Sequence, residues 1–123
     1  MYMNDLHIAP TVKTPAIDFY SIGNLKITGN SYPEDVTSFY QPVIYWLERF
    51  LNSNYEPVYL TINLTYINTS SIKSLLQIIT KVSALSKNVV KVNWIYEIDD
   101  EDMVSVGEDL SRLSSLTFDF KAR

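Results

Sequence analysis

The sequence predicts a single α/β domain with a mixed sheet of about five strands, in the order β-β-α-β-α-β-α-β, and helices mainly on one face of the sheet. Two kinds of segment follow each other along the chain. In one kind apolar and polar residues alternate, as in a strand, and in the other the apolar residues recur every three or four positions, as in a helix. The chain begins with two segments of the strand type. A later segment of the same type has apolar residues on one face only, which indicates a sheet covered by helices on one side. The 123 residues, 46% of them apolar, are enough for one core, so we expect one domain over residues 1–123.

A β-hairpin is expected near the start of the domain. Residues 15–21 and 25–30 alternate apolar and polar side chains, and Ile22, Gly23 and Asn24 between them have the composition of a tight turn. The hairpin would add an antiparallel pair to a sheet whose later strands, joined through helices, are parallel.

The first helix is expected after residues 31–35 and should end at about Asn54. Its apolar stripe has the spacing of three and four residues that is typical of an amphipathic helix, and comprises Phe39, Val43, Trp46, Leu47, Phe50 and Leu51. Pro42 falls inside this stripe. We therefore expect the helix either to start late, with Ser38 as its N-cap, or to bend at Pro42.

The central strand is expected at residues 57–67. One face would carry Val58, Leu60, Ile62, Leu64 and Tyr66, and the wetter face Tyr59, Thr61, Asn63 and Thr65. An apolar stripe from Ile72 to Leu85 then predicts a second helix that closes near Lys87, with Asn88 as a left-handed cap.

The last third of the chain predicts a strand at residues 89–98, a third helix and a short strand at residues 116–120. The helix would run from the acidic residues 99–102 to about Leu113, because carboxylates in a first turn suit the positive end of the helix dipole. This acidic run lacks the alternating spacing and the glycine of a calcium loop, so we interpret it as a solvated helix start.

Charge and composition disfavour several classes of protein. Ten basic and fourteen acidic residues give a net charge of −4, which argues against binding to nucleic acid or to a membrane surface. Neither a leader nor a bilayer-spanning stretch is recognisable, so we expect a cytoplasmic protein. The chain has no cysteine and one histidine, His7, which disfavours a metal centre or a thiol nucleophile, and no cofactor is expected.

The candidate functional residues are Asn-Thr-Ser-Ser-Ile-Lys at 68–73, where the central strand ends and the second helix begins. One of Asn68, Thr69 and Ser70 suffices to cap a helix, and simple capping is one interpretation. The alternative is a modification site, because hydroxyls are concentrated at the edge of the sheet where α/β proteins place their sites. Helix amides would stabilise a phosphoryl group there, and its charge of about −2 would break contact with an apolar or acidic partner. Lys73 could steady the phosphate or be a solvated charge.

Two enzymatic alternatives use the same residues. A phosphate-cradling loop needs glycine, and residues 67–71 contain none. A hydrolase using Ser70 or Ser71 with Asp99 or Glu101 would lack a usable histidine. A binding function is therefore favoured, and Tyr59 on the wetter strand face is the best aromatic candidate for contact with a partner.

Five segments resemble the SiaC family of bacterial regulatory phosphoproteins, in the same order and with similar spacing. They are Thr-Pro-Ala-Ile at 14–17, Ser-Tyr-Pro-Glu at 31–34, Val-Ile at 43–44 with Trp46, Glu-Arg-Phe-Leu at 48–51, and Asn-Thr-Ser-Ser-Ile-Lys at 68–73. The resemblance spans nearly the whole domain. It implies a fold related to the anti-sigma-factor antagonist (STAS) domain. It also implies that the protein is a substrate of signalling enzymes and is not itself an enzyme.

The resemblance also implies a partner-switching pathway. A serine/threonine kinase would phosphorylate Thr69, with Ser70 and Ser71 as secondary acceptors, and a PP2C-type phosphatase would remove the group. The unphosphorylated form would bind and stimulate a diguanylate cyclase, raising cyclic di-GMP and promoting biofilm formation. The partner-binding residues would be Asn68, Thr69, Ser70, Lys73 and Tyr59. A non-switching STAS-like interaction module and an anti-sigma-factor antagonist remain as alternatives, although Asn68 replaces the acid of the classical antagonist motif and no glycine follows.

Overall fold

Residues 3–123, which the computed structural model describes, form six strands and three helices. Their bounds are β1 Leu6–Ile8, β2 Ala16–Phe19, β3 Asn24–Ser31, α1 Val36–Ser53, β4 Val58–Ile67, α2 Thr69–Leu85, β5 Val90–Tyr96, α3 Glu101–Ser114 and β6 Phe118–Ala122. The strands form one sheet in sequential order. The first three are antiparallel neighbours, and β3 to β6 are parallel. The predicted mixed α/β class is confirmed.

The three helices lie on one face of the sheet because of the strand order. Each helix connects a strand to its parallel neighbour, and each step runs in the same direction across the sheet. Right-handed crossovers then place every helix on the same side. Burial agrees with this: Leu60, Ile62 and Trp94 are buried towards the helices, while Tyr59 and Lys91 on the other face are exposed. All three helices therefore begin at the carboxyl edge of the parallel strands.

The sixth strand, β1, is the main difference from the predicted count of about five. Leu6–Ile8 pairs antiparallel with residues 17–19 of β2. The preceding segment is held by the indole of Trp46, whose Nε1 donates to the carbonyl of Asn4 at 2.9 Å. Three residues are too few to show a periodic pattern, so the pairing arises from contacts with the rest of the domain.

The first helix starts directly after residues 31–35, as expected, and the alternative of a late start with Ser38 as N-cap is wrong. Asp35, not Ser38, is the N-cap, and its carboxylate accepts from the backbone N–H of Ser38 at 3.1 Å. This bond and one from the Ser38 hydroxyl lower the pKa of Asp35. Pro42 lies inside α1. Proline has no backbone N–H, so the carbonyl of Ser38 lacks its usual helical donor. Pro42 and Ser38 are both exposed, and water can donate to this carbonyl instead.

The second helix ends at Leu85, and the predicted left-handed cap at Asn88 is wrong. The C-cap Ser86 has extended backbone angles. Lys87 instead caps the end of α1: its Nζ donates to the carbonyls of Leu51 and Asn52 at 2.7 and 3.1 Å. Carbonyls at a helix end lack intrahelical donors, so this cation both satisfies them and complements the dipole.

A β-bulge in β4 reverses one predicted orientation. Gly29 pairs with Leu64, but the next residue, Asn30, pairs with Tyr66, so β4 has one extra residue at Thr65. The extra residue turns Tyr66 away from the helices, where it is 54% exposed, although alternation predicted it on the dry face. Gly29 has φ of +120° at this point, a conformation that glycine adopts without strain.

Candidate functional site

The candidate site is the turn between β4 and α2 at the carboxyl edge of the sheet. Asn68 is the N-cap of α2, and its Oδ1 accepts from the backbone N–H of Ser71 at 2.9 Å. The backbone N–H of Asn68 donates to the carbonyl of Ser31, the last residue of β3, at 3.0 Å. Capping therefore belongs to Asn68 alone, and the turn is attached to the neighbouring strand.

Thr69 and Ser70 occupy the first two helical positions, and both are exposed. Within residues 3–123, their hydroxyls and backbone N–H groups make no hydrogen bond. First-turn N–H groups have no acceptor inside a helix and favour an anion, as does the positive end of the dipole. The two hydroxyls are thus available for modification beside donors that suit a phosphate.

Ser71 is fully buried and belongs to a chain of hydroxyls. Ser31 Oγ donates to Ser71 Oγ at 2.8 Å, and Tyr40 Oη lies 2.6 Å from Ser31 Oγ. Since Ser31 has a single hydroxyl proton, Tyr40 is the donor to Ser31. This buried chain links α1, β3 and α2, and it joins α2 at Ser71, two residues after the exposed Thr69. It was not predicted, because 40 residues separate Ser31 from Ser71 in the sequence.

Burial raises the pKa of the Tyr40 phenol to about 12, because the charged phenolate would lose its hydration in the core. An unfolded tyrosine ionises near pH 10 while the folded one stays neutral, so stability is lost as the pH rises between these values. The loss reaches about 3 kcal/mol. Urea unfolding at pH 8 and pH 11 should show about half of this loss, roughly 1.4 kcal/mol, for the natural protein, because pH 11 lies midway between the two pKa values, and a smaller fall for Tyr40→Phe. Exposed Tyr59→Phe is the control, and an equal fall in all three would contradict this role of Tyr40.

Lys73 lies near the candidate turn and Tyr59 does not. Lys73 is exposed, stands one turn after Thr69 on the same helix face, and forms no salt bridge within residues 3–123. Tyr59 lies at the beginning of β4, about 26 Å from its end at the usual rise of about 3.3 Å per residue, and on the open face of the sheet. The structure therefore brings Asn68, Thr69, Ser70 and Lys73 together without Tyr59.

Two tyrosines beside the turn were missed as site residues. The rings of Tyr32 and Tyr66 meet edge to face, with their centroids 5.5 Å apart. Tyr32 follows the end of β3, and Tyr66 is exposed two residues before Asn68 because of the bulge. A one-residue irregularity of strand pairing leaves no periodic signal, so the sequence pattern alone placed Tyr66 in the core.

The acidic run serves as a helix start, as predicted. Asp100 is the N-cap of α3, and its carboxylate accepts from the backbone N–H of Met103 at 3.0 Å. Among the described residues, no group of three or more His, Asp or Glu side chains could hold a metal ion. Neither Ser70 nor Ser71 bonds to Asp99 or Glu101 in this part of the chain, so the geometry does not support the hydrolase alternative. A search of the described residues for a helix suited to crossing a bilayer finds none.

The fold and the site together define a small α/β domain with a capped helix start that presents free hydroxyls. The chain belongs to the SiaC family of regulatory phosphoproteins, whose family model matches residues 8–123. This membership confirms the resemblance found in the sequence.

Similar proteins come from Pseudomonas aeruginosa. An uncharacterized protein of strain UCBPP-PA14 is 35% identical over 123 residues, which cover 98% of each chain. A chain in the crystal structure of the diguanylate cyclase SiaD in complex with its activator SiaC is 34% identical, with a TM-score of 0.86 over 97% of this chain and 100% of that one. The crystal structure of apo-SiaC is 32% identical, with a TM-score of 0.80 over 98% and 100%.

Proposed function

We propose that this protein is a phosphorylation-controlled activator of a diguanylate cyclase in the cytoplasm. Its unmodified form binds and stimulates the cyclase, which raises cyclic di-GMP and promotes biofilm formation. A serine/threonine kinase adds phosphate to Thr69 and releases the cyclase, and a PP2C-type phosphatase restores binding. The similarity to SiaC, which was solved in complex with the cyclase SiaD as its activator, supports the choice of partner.

The single observation that carries the proposal is the exposed Thr69 hydroxyl on a rigidly held helix start. The Asn68 cap and the buried Tyr40–Ser31–Ser71 chain fix the backbone around it. A kinase can therefore reach Thr69 without opening the fold. Ser70 is equally exposed and remains a secondary acceptor, whereas Ser71 could be modified only if the buried chain were broken.

We infer that the fold tolerates a phosphate at Thr69 and that the same phosphate disrupts a complex. The free N–H groups of Thr69 and Ser70 and the ammonium of Lys73 favour an anion at this position. The phosphate adds about −1.5 to −2 charges to a surface that has no carboxylate among residues 67–73. An acidic or apolar partner surface would then be repelled. Tyr59 remains a predicted partner-binding residue. Because it lies on the open face of the sheet, only a partner that extends to this face would contact it.

Incubation of the protein with its kinase and ATP, followed by mass spectrometry, should place one phosphate on Thr69. We expect Thr69→Ala to abolish most phosphorylation and Ser70→Ala to preserve it, because only Thr69 holds the first helical position. Full phosphorylation of Thr69→Ala would contradict the assignment of the site. Protein purified from its native host without any phosphate on Thr69 would leave a non-switching interaction module as the better description.

A further inference from the structure

Strand β6 lies at one edge of the sheet, and no strand among residues 3–123 pairs with its outer side. Just beyond β6, Arg123 donates to the carbonyl of Tyr96 at 2.9 Å and accepts from the N–H of Ile98 at 3.2 Å, so its backbone faces β5. Successive residues of a strand direct their backbone groups to opposite sides. The even-numbered residues of β6 therefore offer a row of N–H and C=O groups to the outer side. These residues are Phe118, Phe120 and Ala122.

We propose that β6 pairs antiparallel with β6 of a second copy of this chain, about a two-fold axis that passes beside Phe120. Phe120 then lies opposite Phe120 of the second copy, and Asp119 lies opposite Lys121 of the second copy. A two-fold axis makes the same surface serve on both copies, and the two sheets join into one continuous sheet. This inference does not depend on the proposed function.

The charges on β6 are complementary under this symmetry. Phe120 pairs with the buried Trp94, so Asp119 and Lys121 lie on the opposite, open face of the sheet. Both are exposed, and neither forms a salt bridge within residues 3–123. Around Phe120, each carboxylate faces an ammonium group of the other copy, at positions where opposite Cα atoms are about 4.5 Å apart. Because the pattern is complementary to itself, the occupant that fits it is a second copy.

The same charges select one register. A pair centred on Asp119 would place two carboxylates opposite each other, and a pair centred on Lys121 would place two ammonium groups opposite each other. Both arrangements are unfavourable, whereas the pair centred on Phe120 has two favourable contacts.

The backbone agrees with this register. In an antiparallel pair, residues that exchange two hydrogen bonds alternate with residues that exchange none. A centre at Phe120 makes Phe120 a hydrogen-bonded pair with its own equivalent, and Phe118 a hydrogen-bonded pair with Ala122. Each outward N–H and C=O of β6 therefore acquires a partner. The ring of Phe120, which is 37% exposed and packs against Phe118 at 6.1 Å between centroids, would be covered by its equivalent.

The size of this edge predicts a weak dimer. Stable complexes bury about 1,200 to 2,000 Å², and the five residues of β6 provide less than that. We therefore expect a dissociation constant of roughly 10 to 100 µM. The opposite edge of the sheet offers less, because β1 has only three residues.

Sedimentation equilibrium tests the association. From about 1 µM to about 1 mM protein, the mean mass should rise from near 14.2 kDa towards twice that value. Lys121→Glu places an acid opposite Asp119 and should raise the dissociation constant at least tenfold. Lys91→Glu is the matched control: it is the same change on the open face of the neighbouring strand β5, and should stay within twofold of the natural protein. A mass that stays at 14.2 kDa, or natural affinity in Lys121→Glu, would overturn the proposal.

A charge exchange tests the register. Asp119→Lys combined with Lys121→Glu reverses both charges and keeps them complementary, so the double variant should regain affinity within a few-fold of the natural protein. It also controls for folding, since it contains the Lys121→Glu substitution. A double variant that dimerises as weakly as Lys121→Glu alone would overturn the antiparallel pairing around Phe120.

Disulfide cross-linking tests the same register without relying on charge, because the natural chain has no cysteine. Asp119→Cys and Lys121→Cys are prepared separately, mixed and oxidised. The mixture should form a disulfide-linked dimer, since the two positions face each other with Cα atoms about 4.5 Å apart. Either variant alone should react far more slowly, because its two cysteines would lie diagonally, about 7 to 8 Å apart. Equally fast reaction of one variant alone would overturn the inference.

Discussion

Replacing Gly107 with alanine is expected to lower the free energy of unfolding by about 2 to 3 kcal/mol, and the melting temperature by about 10 °C. Gly107 is buried in α3, and a Cβ there would lie 2.6 Å from Trp94 Nε1, 2.7 Å from Trp94 Cδ1 and 2.8 Å from Phe120 Cε2. The indole cannot move aside easily, since it is buried and donates to the carbonyl of Met103 at 3.0 Å. The better helix propensity of alanine, about 1 kcal/mol, offsets only part of the overlap.

Thermal unfolding of Gly107→Ala checks this close packing of α3 against the sheet. Ser105→Ala is the control, because Ser105 is exposed on the same helix and its replacement should change stability by less than about 0.5 kcal/mol. In a Trp94→Phe background, Gly107→Ala should lower the free energy of unfolding by a smaller amount, because the indole atoms that the new Cβ would overlap are absent. An unchanged or higher melting temperature for Gly107→Ala would show that α3 does not approach Trp94 this closely.

Thr69→Glu is expected to weaken binding to the cyclase at least tenfold, equivalent to about 1.4 kcal/mol, without reducing stability. A carboxylate at the first helical position complements the helix dipole, so the fold accepts it. The same negative charge opposes an acidic or apolar partner surface, as a phosphate would.

Thr69→Gln separates charge from shape in this prediction, because glutamine has nearly the size of glutamate and no charge. We expect Thr69→Gln and Thr69→Ala to bind within a few-fold of the natural protein in calorimetry. Equal affinities for Thr69→Glu and Thr69→Gln would mean that charge at this turn does not control the complex.

The fold was predictable where local patterns persist over several residues. Alternation from Val58 to Leu64 correctly identified the buried and open faces of β4, and the recurrence of apolar residues identified α1 and α2. The third helix was identified from the acidic residues of its first turn. Strand β1 was missed because a three-residue strand has no period to detect. Tyr66 was misplaced because the bulge at Thr65 depends on pairing with Gly29 in a neighbouring strand.

The sequence predicted where the candidate site lies, but it did not predict which of its hydroxyl side chains are exposed and which are buried. A cluster of capping residues after an apolar strand indicated the helix start, and Asn68 is indeed the cap. The roles of the three hydroxyl residues differ through tertiary contacts alone. Thr69 and Ser70 face solvent, while Ser71 turns inward to Ser31, and no local pattern distinguishes adjacent hydroxyls in this way.

The role of Thr69 as a charge switch is tested most directly with three preparations of the natural protein: unmodified, fully phosphorylated on Thr69, and phosphorylated then treated with phosphatase. Each is titrated into the purified diguanylate cyclase, and cyclic di-GMP synthesis is followed in the same samples. We expect the first and third preparations to bind and stimulate the cyclase, and the second to bind at least tenfold more weakly and to stimulate little. Equal binding and stimulation by all three would contradict the switch.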